Sequence, residues 1–354
     1  MSEDVRKEIE DGLAAGKDTG VFGTHTKFEE ASLVLYPVRW EATTSYGGGT
    51  SEGPDLILEA SRQLDLEDAC FDRPYQSGIF MVPGREEISS MNEKASLLVD
   101  NVRKAHEEGS QAVEAELRAV NEMSERVNQL VYKDLQELLS GGKLLGLVGG
   151  DHSCPYGFIK LLSEQYSEFG ILHFDAHLDL RESSEGFQFS HASIMNNVLK
   201  DCPSVTRLVS IGIRDYSFQE KELARKSENR VRVYSDRECF RRKQRGELFS
   251  GITRESLSVL PEKVYVSFDI DGLDPRLCPS TGTPVPGGLD FHEACYLLEE
   301  LALNGKKIIG FDLTEVARSH GDSEWDGNVG ARILYKLCGA LLYSQGKIGL
   351  AEGF

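Results

Sequence analysis

Short apolar runs alternate with amphipathic stretches over most of the chain, and this alternation predicts its fold. After a first run at 33–36, further apolar runs predict strands at 144–148, 170–174, 207–213, 230–234, 264–268 and 307–312. Helical patterns lie at 55–62, 155–166, 192–200 and 291–303 and from Val329 onward, and Pro54 suits the first turn of its helix. Strands that alternate with helices predict an α/β fold with three layers, in which a mostly parallel sheet carries helices on both faces.

Two segments stand outside this alternation. Residues 86–140 are rich in Glu, Ala, Leu and Lys and predict a helical insert of two helices, broken near Glu108-Gly109-Ser110. A long amphipathic insert usually serves packing or oligomer contacts, so no chemistry is assigned to it. Residues 1–30 are polar and Gly/Thr-rich after a short helical pattern, which predicts a surface arm before a single domain over 31–354.

Acidic residues and histidine cluster at the ends of two predicted strands. Asp175-Ala176-His177-Leu178-Asp179 follows one apolar run, and Asp269-Ile270-Asp271 follows another. The carboxyl ends of parallel strands meet at the crevice where open α/β sheets bind ligands. Because acids so close together repel one another and resist ionisation, a pair of divalent cations is the ordinary solution. The sequence therefore predicts a metal centre.

Composition and charge indicate which classes of molecule this protein can bind. The net charge of −19 argues against nucleic acid, whose binding depends on neutralising phosphates, and suits a cationic substrate. The chain opens with an acidic segment rather than a secretory signal, and no apolar stretch approaches the roughly twenty residues that span a bilayer. Seven cysteines without CxxC spacing are typical of reduced thiols, so we expect a cytoplasmic protein without a membrane partner.

Two more clusters complete a family pattern. Gly149-Gly150-Asp151-His152-Ser153 follows the run at 144–148, and Gly310-Phe311-Asp312-Leu313-Thr314-Glu315 ends the last predicted strand. Together the four clusters, from about Leu33 to the C-terminus, resemble the ureohydrolase family, which includes arginase and agmatinase. The loop from Thr44-Ser45-Tyr46-Gly47 to Gly53-Pro54 is similar to the N-terminal loop of agmatinases.

The resemblance implies the arginase type of sheet and two Mn²⁺ ions per chain. One ion would be held by His152, Asp175, Asp179 and Asp269, and the other by Asp175, His177, Asp269 and Asp271. The two ions would activate one water for attack on a guanidinium carbon. His191 matches the family's active-site histidine, which shuttles protons or orients substrate, and Glu315 matches the acid that hydrogen-bonds the guanidinium. The family also implies a homo-oligomer, a trimer or a hexamer.

Other polar residues near these motifs receive structural interpretations. His173 lies inside a predicted strand and is expected to be a buried core residue with satisfied hydrogen bonds. Asp151 is expected to support the site rather than to bind metal. Cys154 is expected to have a packing role without chemistry of its own.

The sequence indicates the substrate less specifically than it indicates the metal ligands. The loop at 180–189 lacks the Asn-Thr-Pro stretch of typical arginases and adds Arg181, which either pairs with Glu182 or another acid or holds a substrate carboxylate. Agmatine, cleaved to putrescine and urea, is the leading expectation. The alternatives are arginine, guanidinobutyrate or formimidoylglutamate as substrate, or a metal-binding family member without catalysis.

Overall fold

The computed structural model describes Gly16 and residues 18–44, 48–109, 113–319, 321 and 323–352. Within these residues, eight strands form one sheet in the order β2-β1-β3-β8-β7-β4-β5-β6. Each strand pair in it is parallel. The strands are β1 Leu33–Val38, β2 Ile79–Met81, β3 Leu144–Gly149, β4 Phe169–Phe174, β5 Val205–Ile211, β6 Val231–Tyr234, β7 Lys263–Asp269 and β8 Lys307–Thr314.

Helices connect these strands. In the part of the chain that the structure describes, they are α1 Gly53–Ser61, α2 Glu86–Glu107, α3 Glu114–Ser140, α4 Tyr156–Gln165, α5 Ile194–Asp201, α6 Phe218–Lys226, α7 Asp236–Gln244, α8 Phe249–Ser258, α9 Phe291–Leu303 and α10 Trp325–Ser344. The insert at 86–140 is the pair α2 and α3, as predicted, and Pro54 lies in the first turn of α1. None of the described helices combines the length and the apolar character needed to cross a bilayer.

Alternation along each strand builds a separate core on each face of the sheet. In β1, Leu35 points into a core shared with α9 and α10, whereas Val34 and Tyr36 point into a core shared with α3, α4 and α5. In β4, Phe174 joins the first core and Ile171 the second. Side chains of successive strand residues face opposite sides. The fold is therefore the predicted three-layer α/β/α arrangement.

The described part of the N-terminal segment lies against the domain. Val21 and Phe22 are 1% and 2% exposed and belong to the core on the α10 side. The Phe22 ring contacts Tyr335 edge-on at 4.9 Å, and the Phe22 N–H donates to Ser61 Oγ at 3.0 Å. The side chains of Val21 and Phe22 are therefore buried, whereas a surface arm was predicted for this segment. The helical pattern at the start of the chain, and Ser45, Tyr46 and Gly47, lie outside the described residues.

Candidate metal centre

Four neighbouring strands in the middle of the sheet carry the site. His152 follows β3, Asp175 follows β4, Asp269 ends β7 and Glu315 follows β8, and the order of these strands is β3-β8-β7-β4. The chain passes from β3 to β4 across β8 and β7, which makes this the switch point where open α/β sheets bind ligands. The His152 N–H donates to Glu315 Oε1 at 2.8 Å, so segments 163 residues apart meet here.

A first cluster surrounds one ring nitrogen. His152 Nδ1 lies 3.0 Å from Asp175 Oδ2, 3.0 Å from Asp179 Oδ2 and 3.3 Å from Asp269 Oδ2. His152 Nδ1 is nevertheless buried without a hydrogen bond in the described structure. A ring nitrogen with carboxylate oxygens around it offers the donor types of a divalent cation site. Ligand atoms of His152, His173, Asp175 and Asp179 all lie within 4.8 Å of one another, whereas Asp269 is not part of this group in the described structure.

A second cluster shares Asp175 with the first. His177 Nδ1 lies 3.3 Å from Asp175 Oδ1 and 3.1 Å from Asp271 Oδ2. Asp175 thus turns one carboxylate oxygen to each histidine. Backbone amides hold the geometry: the Ala176 N–H donates to Asp271 Oδ1 and the Asp271 N–H to Asp269 Oδ1, at 2.9 and 2.8 Å. The two clusters are therefore arranged as adjoining halves of one site.

The acids of the site attract positive charge. Burial, followed by repulsion from Asp175, raises the pKa of Asp179 to about 6, and burial with repulsion from Asp271 raises that of Asp269. Burial would lower the pKa of His177, but Asp271 and Asp175 raise it to about 12. Such mutual shifts mark a cluster whose excess negative charge a divalent cation can neutralise.

Two of the seven described residues other than glycine that have positive φ belong to the site. Asp179 has φ +53° and Glu315 has φ +65°, in the left-handed region that side chains other than glycine avoid. Each such residue costs about 1–3 kcal/mol and persists only where the surroundings require it.

His173 is a buried core residue with satisfied hydrogen bonds, as predicted, but it also contacts the metal centre. Its Nδ1 lies 3.1 Å from Ser210 Oγ and its Nε2 lies 2.8 Å from Asp175 Oδ2. The histidine therefore holds the carboxylate that both clusters share. The signal was available, because side chains two residues apart along a strand face the same side.

Ser267 and Asp312 were not predicted as parts of the site. Ser267 Oγ lies 2.9 Å from His152 Nε2 and donates to Asp312 Oδ1 at 3.2 Å. A ligand histidine commonly has a partner of this kind on its other nitrogen, which fixes its ring orientation. Ser267 lies two residues before Asp269, so strand alternation again provided the signal.

His191 lies at the start of a short 3₁₀ turn, His191–Ser193, before α5. The His191 N–H donates to Thr43 Oγ1 at 3.2 Å, and Nδ1 lies 3.4 Å from the same oxygen. Burial and then the charges of His177 and His152 lower the pKa of His191 to about 3, so its ring is neutral. Thr43 belongs to the loop after β1, where no periodic pattern predicts a contact.

Glu315 is a buried carboxylate with one satisfied oxygen. Oε1 accepts the His152 N–H, whereas Oε2 has no hydrogen bond in the described part of the structure. Burial and the nearby Asp151 raise the pKa of Glu315 well above its ordinary value. An unsatisfied buried oxygen is costly, so a donor brought by a ligand would be favoured here.

The remaining predictions concern supporting residues. The Asp151 carboxylate accepts hydrogen bonds from the N–H and Oγ of Ser153 and from the N–H and Oγ1 of Thr43, in the supporting role predicted for it. Cys154 is buried, as predicted, and burial raises its pKa. Arg181 Nε lies 3.7 Å from Glu220 Oε2, so its acidic neighbour is Glu220.

Known proteins match this chain over nearly its whole length. The model of the arginase family matches residues 31–339. The N(1)-aminopropylagmatine ureohydrolase of Thermus thermophilus is 32% identical over 299 residues, which cover 84% of this chain and 87% of that protein. The agmatinase of Bacillus anthracis is 28% identical over 306 residues, 85% of this chain and 89% of that one.

A solved structure agrees with the fold. The crystal structure of agmatine ureohydrolase of Thermoplasma volcanium has a TM-score of 0.68 at 24% identity, covering 91% of this chain and 94% of that chain. The chain therefore belongs to the arginase family and is a ureohydrolase of the agmatinase-like kind, a hydrolase of guanidino C–N bonds.

Proposed function

We propose that the protein is a binuclear manganese hydrolase that releases urea from a cationic guanidino compound. The observation that carries the proposal is the convergence of three carboxylate oxygens on His152 Nδ1, which is buried and has no hydrogen bond in the described structure. Asp175 links this group to the second cluster around His177. The donors fit two divalent cations that share ligands.

The proposed ligands divide into two overlapping sets. His152, Asp175, Asp179 and Asp269 would hold one ion, and Asp175, His177, Asp269 and Asp271 the other. Carboxylate oxygens with imidazole suit Mn²⁺, although metal availability also decides which ion is loaded. When bound, such a pair supplies a water of lowered pKa as the nucleophile.

Glu315 would bind the guanidinium group. Its Oε2 is buried and has no hydrogen bond in the described structure, and two N–H groups of a guanidinium match a carboxylate. The positive charge of the substrate would also favour ionised Glu315, whose pKa burial otherwise raises. Binding and charge neutralisation therefore occur together at this residue.

His191 would handle a proton of the leaving amine. When the C–N bond breaks, the bond electrons go to the amine nitrogen, which must gain a proton to leave as an amine rather than as an amide ion. A neutral imidazole has an N–H on one ring nitrogen and a lone pair on the other, so it can donate one proton to the amine while it receives another. Thr43 holds the backbone and the Nδ1 edge of this residue.

A substrate with a cationic far end fits the charges best. Arg181 is the only cation that sequence analysis placed beside the site. Its guanidinium lies 3.7 Å from the Glu220 carboxylate, so an acid offsets its charge. The named relatives act on agmatine or N(1)-aminopropylagmatine, both of which carry a guanidinium and further amine charge. We infer that this chain cleaves agmatine or its aminopropyl derivative, with arginine, guanidinobutyrate and formimidoylglutamate as alternatives.

A substrate panel tests the proposal. Protein loaded with Mn²⁺ is incubated with agmatine, N(1)-aminopropylagmatine, arginine, guanidinobutyrate and formimidoylglutamate, and urea or formamide is measured. We expect urea from the first two at the highest kcat/KM. Protein that binds two ions and releases neither product from any compound would be a family member without catalysis.

A ligand variant separates metal binding from substrate choice. Asp269→Asn removes one charge from a residue proposed for both ions, so metal analysis should show loss of at least one ion and activity should fall to background. Asp274→Asn is the matched control, since Asp274 pairs with the exposed Arg276. One zinc per chain, unchanged in Asp269→Asn, would contradict the binuclear centre.

We also infer a cytoplasmic homo-oligomer, as the family resemblance implies. All seven cysteines are free thiols, which supports a reducing compartment. Light scattering on the purified protein would determine the assembly.

A further inference from the structure

The helical hairpin formed by α2 and α3 has its own hydrophobic cluster, separate from the two cores of the domain. Its buried members in the hairpin segment are Val99, Val102, Val113 and Val120. In the described structure, the one buried member from elsewhere is Phe187, which is 1% exposed. Phe187 belongs to loop 181–190, the segment that leads to His191. The cluster therefore joins the hairpin to the active-site region.

The tip of loop 181–190 is shaped to reach the hairpin. Ser184 and Phe187 exchange two backbone hydrogen bonds, of 3.2 and 2.8 Å, around Glu185 at φ +55° and Gly186 at φ +91°. Positive φ at both central residues is typical of a type I′ turn. A Cβ at Gly186 would lie 3.0 Å from Leu117 Cδ2, so the turn rests closely on α3.

Asn121 of α3 binds the backbone on both sides of Phe187. Its Nδ2 donates to the Gly186 carbonyl oxygen at 3.2 Å, and its Oδ1 accepts the Gln188 N–H at 2.8 Å. One side-chain amide thus satisfies a donor and an acceptor of the loop. The register of the loop on the hairpin is fixed by these two bonds.

Arg103 of α2 makes a second connection. Its Nε donates to Glu185 Oε2 at 3.0 Å and its Nη2 to the Thr43 carbonyl oxygen at 3.2 Å. Thr43 is the residue whose hydroxyl accepts the His191 N–H. The hairpin therefore contacts both segments that hold His191.

Hydrogen bonds connect the anchored part of loop 181–190 to the turn that contains His191. The Gln188 carbonyl oxygen accepts hydrogen bonds from Ser193 Oγ and Asn197 Nδ2, both at 2.9 Å. His191 lies in sequence between Gln188 and these two donors, in a turn capped by Ser190 and Ser193. A displacement of Gln188 would consequently move the turn that presents His191.

We propose that the α2–α3 hairpin positions His191, with Asn121 as the positioning residue at the loop and Arg103 as the link to Thr43. This inference rests on the proposed function, since it assumes that His191 takes part in turnover. Asn121 itself touches neither metal ligands nor Glu315 in the described contacts; it acts through loop 181–190. The helical insert thereby has a role in catalysis beyond packing.

A double-mutant cycle tests the proposal. Asn121→Ala should lower kcat about tenfold with little change in KM or metal content, because small displacements of a reacting group are costly. In the His191→Ala background the same change should have no further effect on kcat. Equal losses of kcat in both backgrounds would overturn the proposal, because Asn121 would then act independently of His191.

Matched controls come from the same helix. Gln129 bonds only Glu125 of its own helix in the described contacts, so Gln129→Ala should leave kcat unchanged. Arg103→Gln should lower kcat, whereas Arg126→Gln, which breaks a pair with Glu87 inside the hairpin, should not. Equal effects of Arg103→Gln and Arg126→Gln would overturn the role of Arg103.

Hydrogen exchange gives a readout that needs no activity. Asn121→Ala should speed amide exchange in the peptide that contains Gln188, since its N–H loses its acceptor, and Gln129→Ala should not. Unchanged exchange there would overturn the anchoring itself. Protein that shows the exchange effect but hydrolyses none of the guanidino compounds would instead contradict the proposed function.

Discussion

The contacts of His191 differ from those of the proposed metal ligands. His191 is buried, its N–H is bound by Thr43, and it belongs to neither of the two acid–histidine clusters. We therefore expect His191→Phe to lower kcat by about 100-fold or more, as loss of a general acid–base group does, while both ions stay bound. Steady-state kinetics with metal analysis on the same sample measures both effects. Loss of metal from this variant would show that its assigned role is wrong.

Arg181 is a test of the substrate's far end. Its side chain is 52% exposed and lies 3.7 Å from Glu220, and exposed ion pairs of this kind contribute at most about 1 kcal/mol. Arg181→Ala should therefore change kcat/KM for agmatine by less than about fivefold. Arg225→Ala, which removes an exposed partner of Glu222, is the control. If Arg181→Ala abolished cleavage of a carboxylate-bearing compound that outperforms agmatine, Arg181 would be a substrate ligand.

The residues found from the sequence and those missed differ in the kind of signal they leave. His152, Asp175 and Asp269 come at the ends of apolar runs, so strand prediction alone brings them to one edge of the sheet. His173 was recognised as buried, and its contact with Asp175 could also have been inferred, because side chains two residues apart on a strand face the same side. Thr43 reaches His191 across 148 residues from an irregular loop, where no periodicity exists to predict the contact.

Among the secondary-structure elements, too, some left a clear signal in the sequence and others did not. The predicted strands were found because they are short runs rich in apolar or β-branched residues, such as 144–148, whereas β2 has only three residues, Ile79–Met81. The helices α6, α7 and α8 were not predicted, and in α7 only Cys239 is buried, so an apolar stripe is missing. The capping box of Ser217 and Glu220 at the start of α6 was a usable signal.

A buried ion network fastens α10 to α9. Lys336 Nζ donates to Asp68 Oδ2 at 2.6 Å and Glu299 Oε1 at 2.8 Å. Lys336→Met would leave the two acids largely buried without their cation, so we expect a loss of about 3–5 kcal/mol in the free energy of unfolding. Denaturant titration measures it. Arg332→Met, on the exposed face of the same helix, should cost less than about 0.5 kcal/mol; equal costs would contradict the network's importance.

The pH dependence of this network follows from the direction in which folding shifts the pKa of Lys336. Burial lowers the pKa of Lys336, but Asp68 and Glu299 outweigh burial and raise it above the ordinary lysine value of 10.5. A group whose pKa is raised by folding stabilises the protein fully below its unfolded pKa and loses that contribution as pH rises through the folded value. The stability difference between wild type and Lys336→Met should hence be constant near neutrality and should shrink in strongly alkaline solution as Lys336 loses its proton.

At the scale of the whole molecule, net charge enters substrate capture. The chain carries a net charge of −19, and such a field attracts cationic ligands. Raising salt from about 0.01 to about 0.5 M should lower kcat/KM for agmatine, because the Debye length falls several-fold. A zwitterionic guanidino acid is the control and should respond less. Equal salt responses of both compounds would contradict electrostatic capture.

The position of β8 also constrains how the protein is made. β8, Lys307–Thr314, is the last strand in sequence, yet it lies between β3 and β7 inside the sheet. During synthesis, β3 is made long before the strand that joins it to β7, and its unpaired edge can template aggregation. Closure of the sheet must wait for β8, and Glu315 arrives at its end. A nascent chain therefore cannot bring the candidate site together until the residues up to Glu315 have been translated.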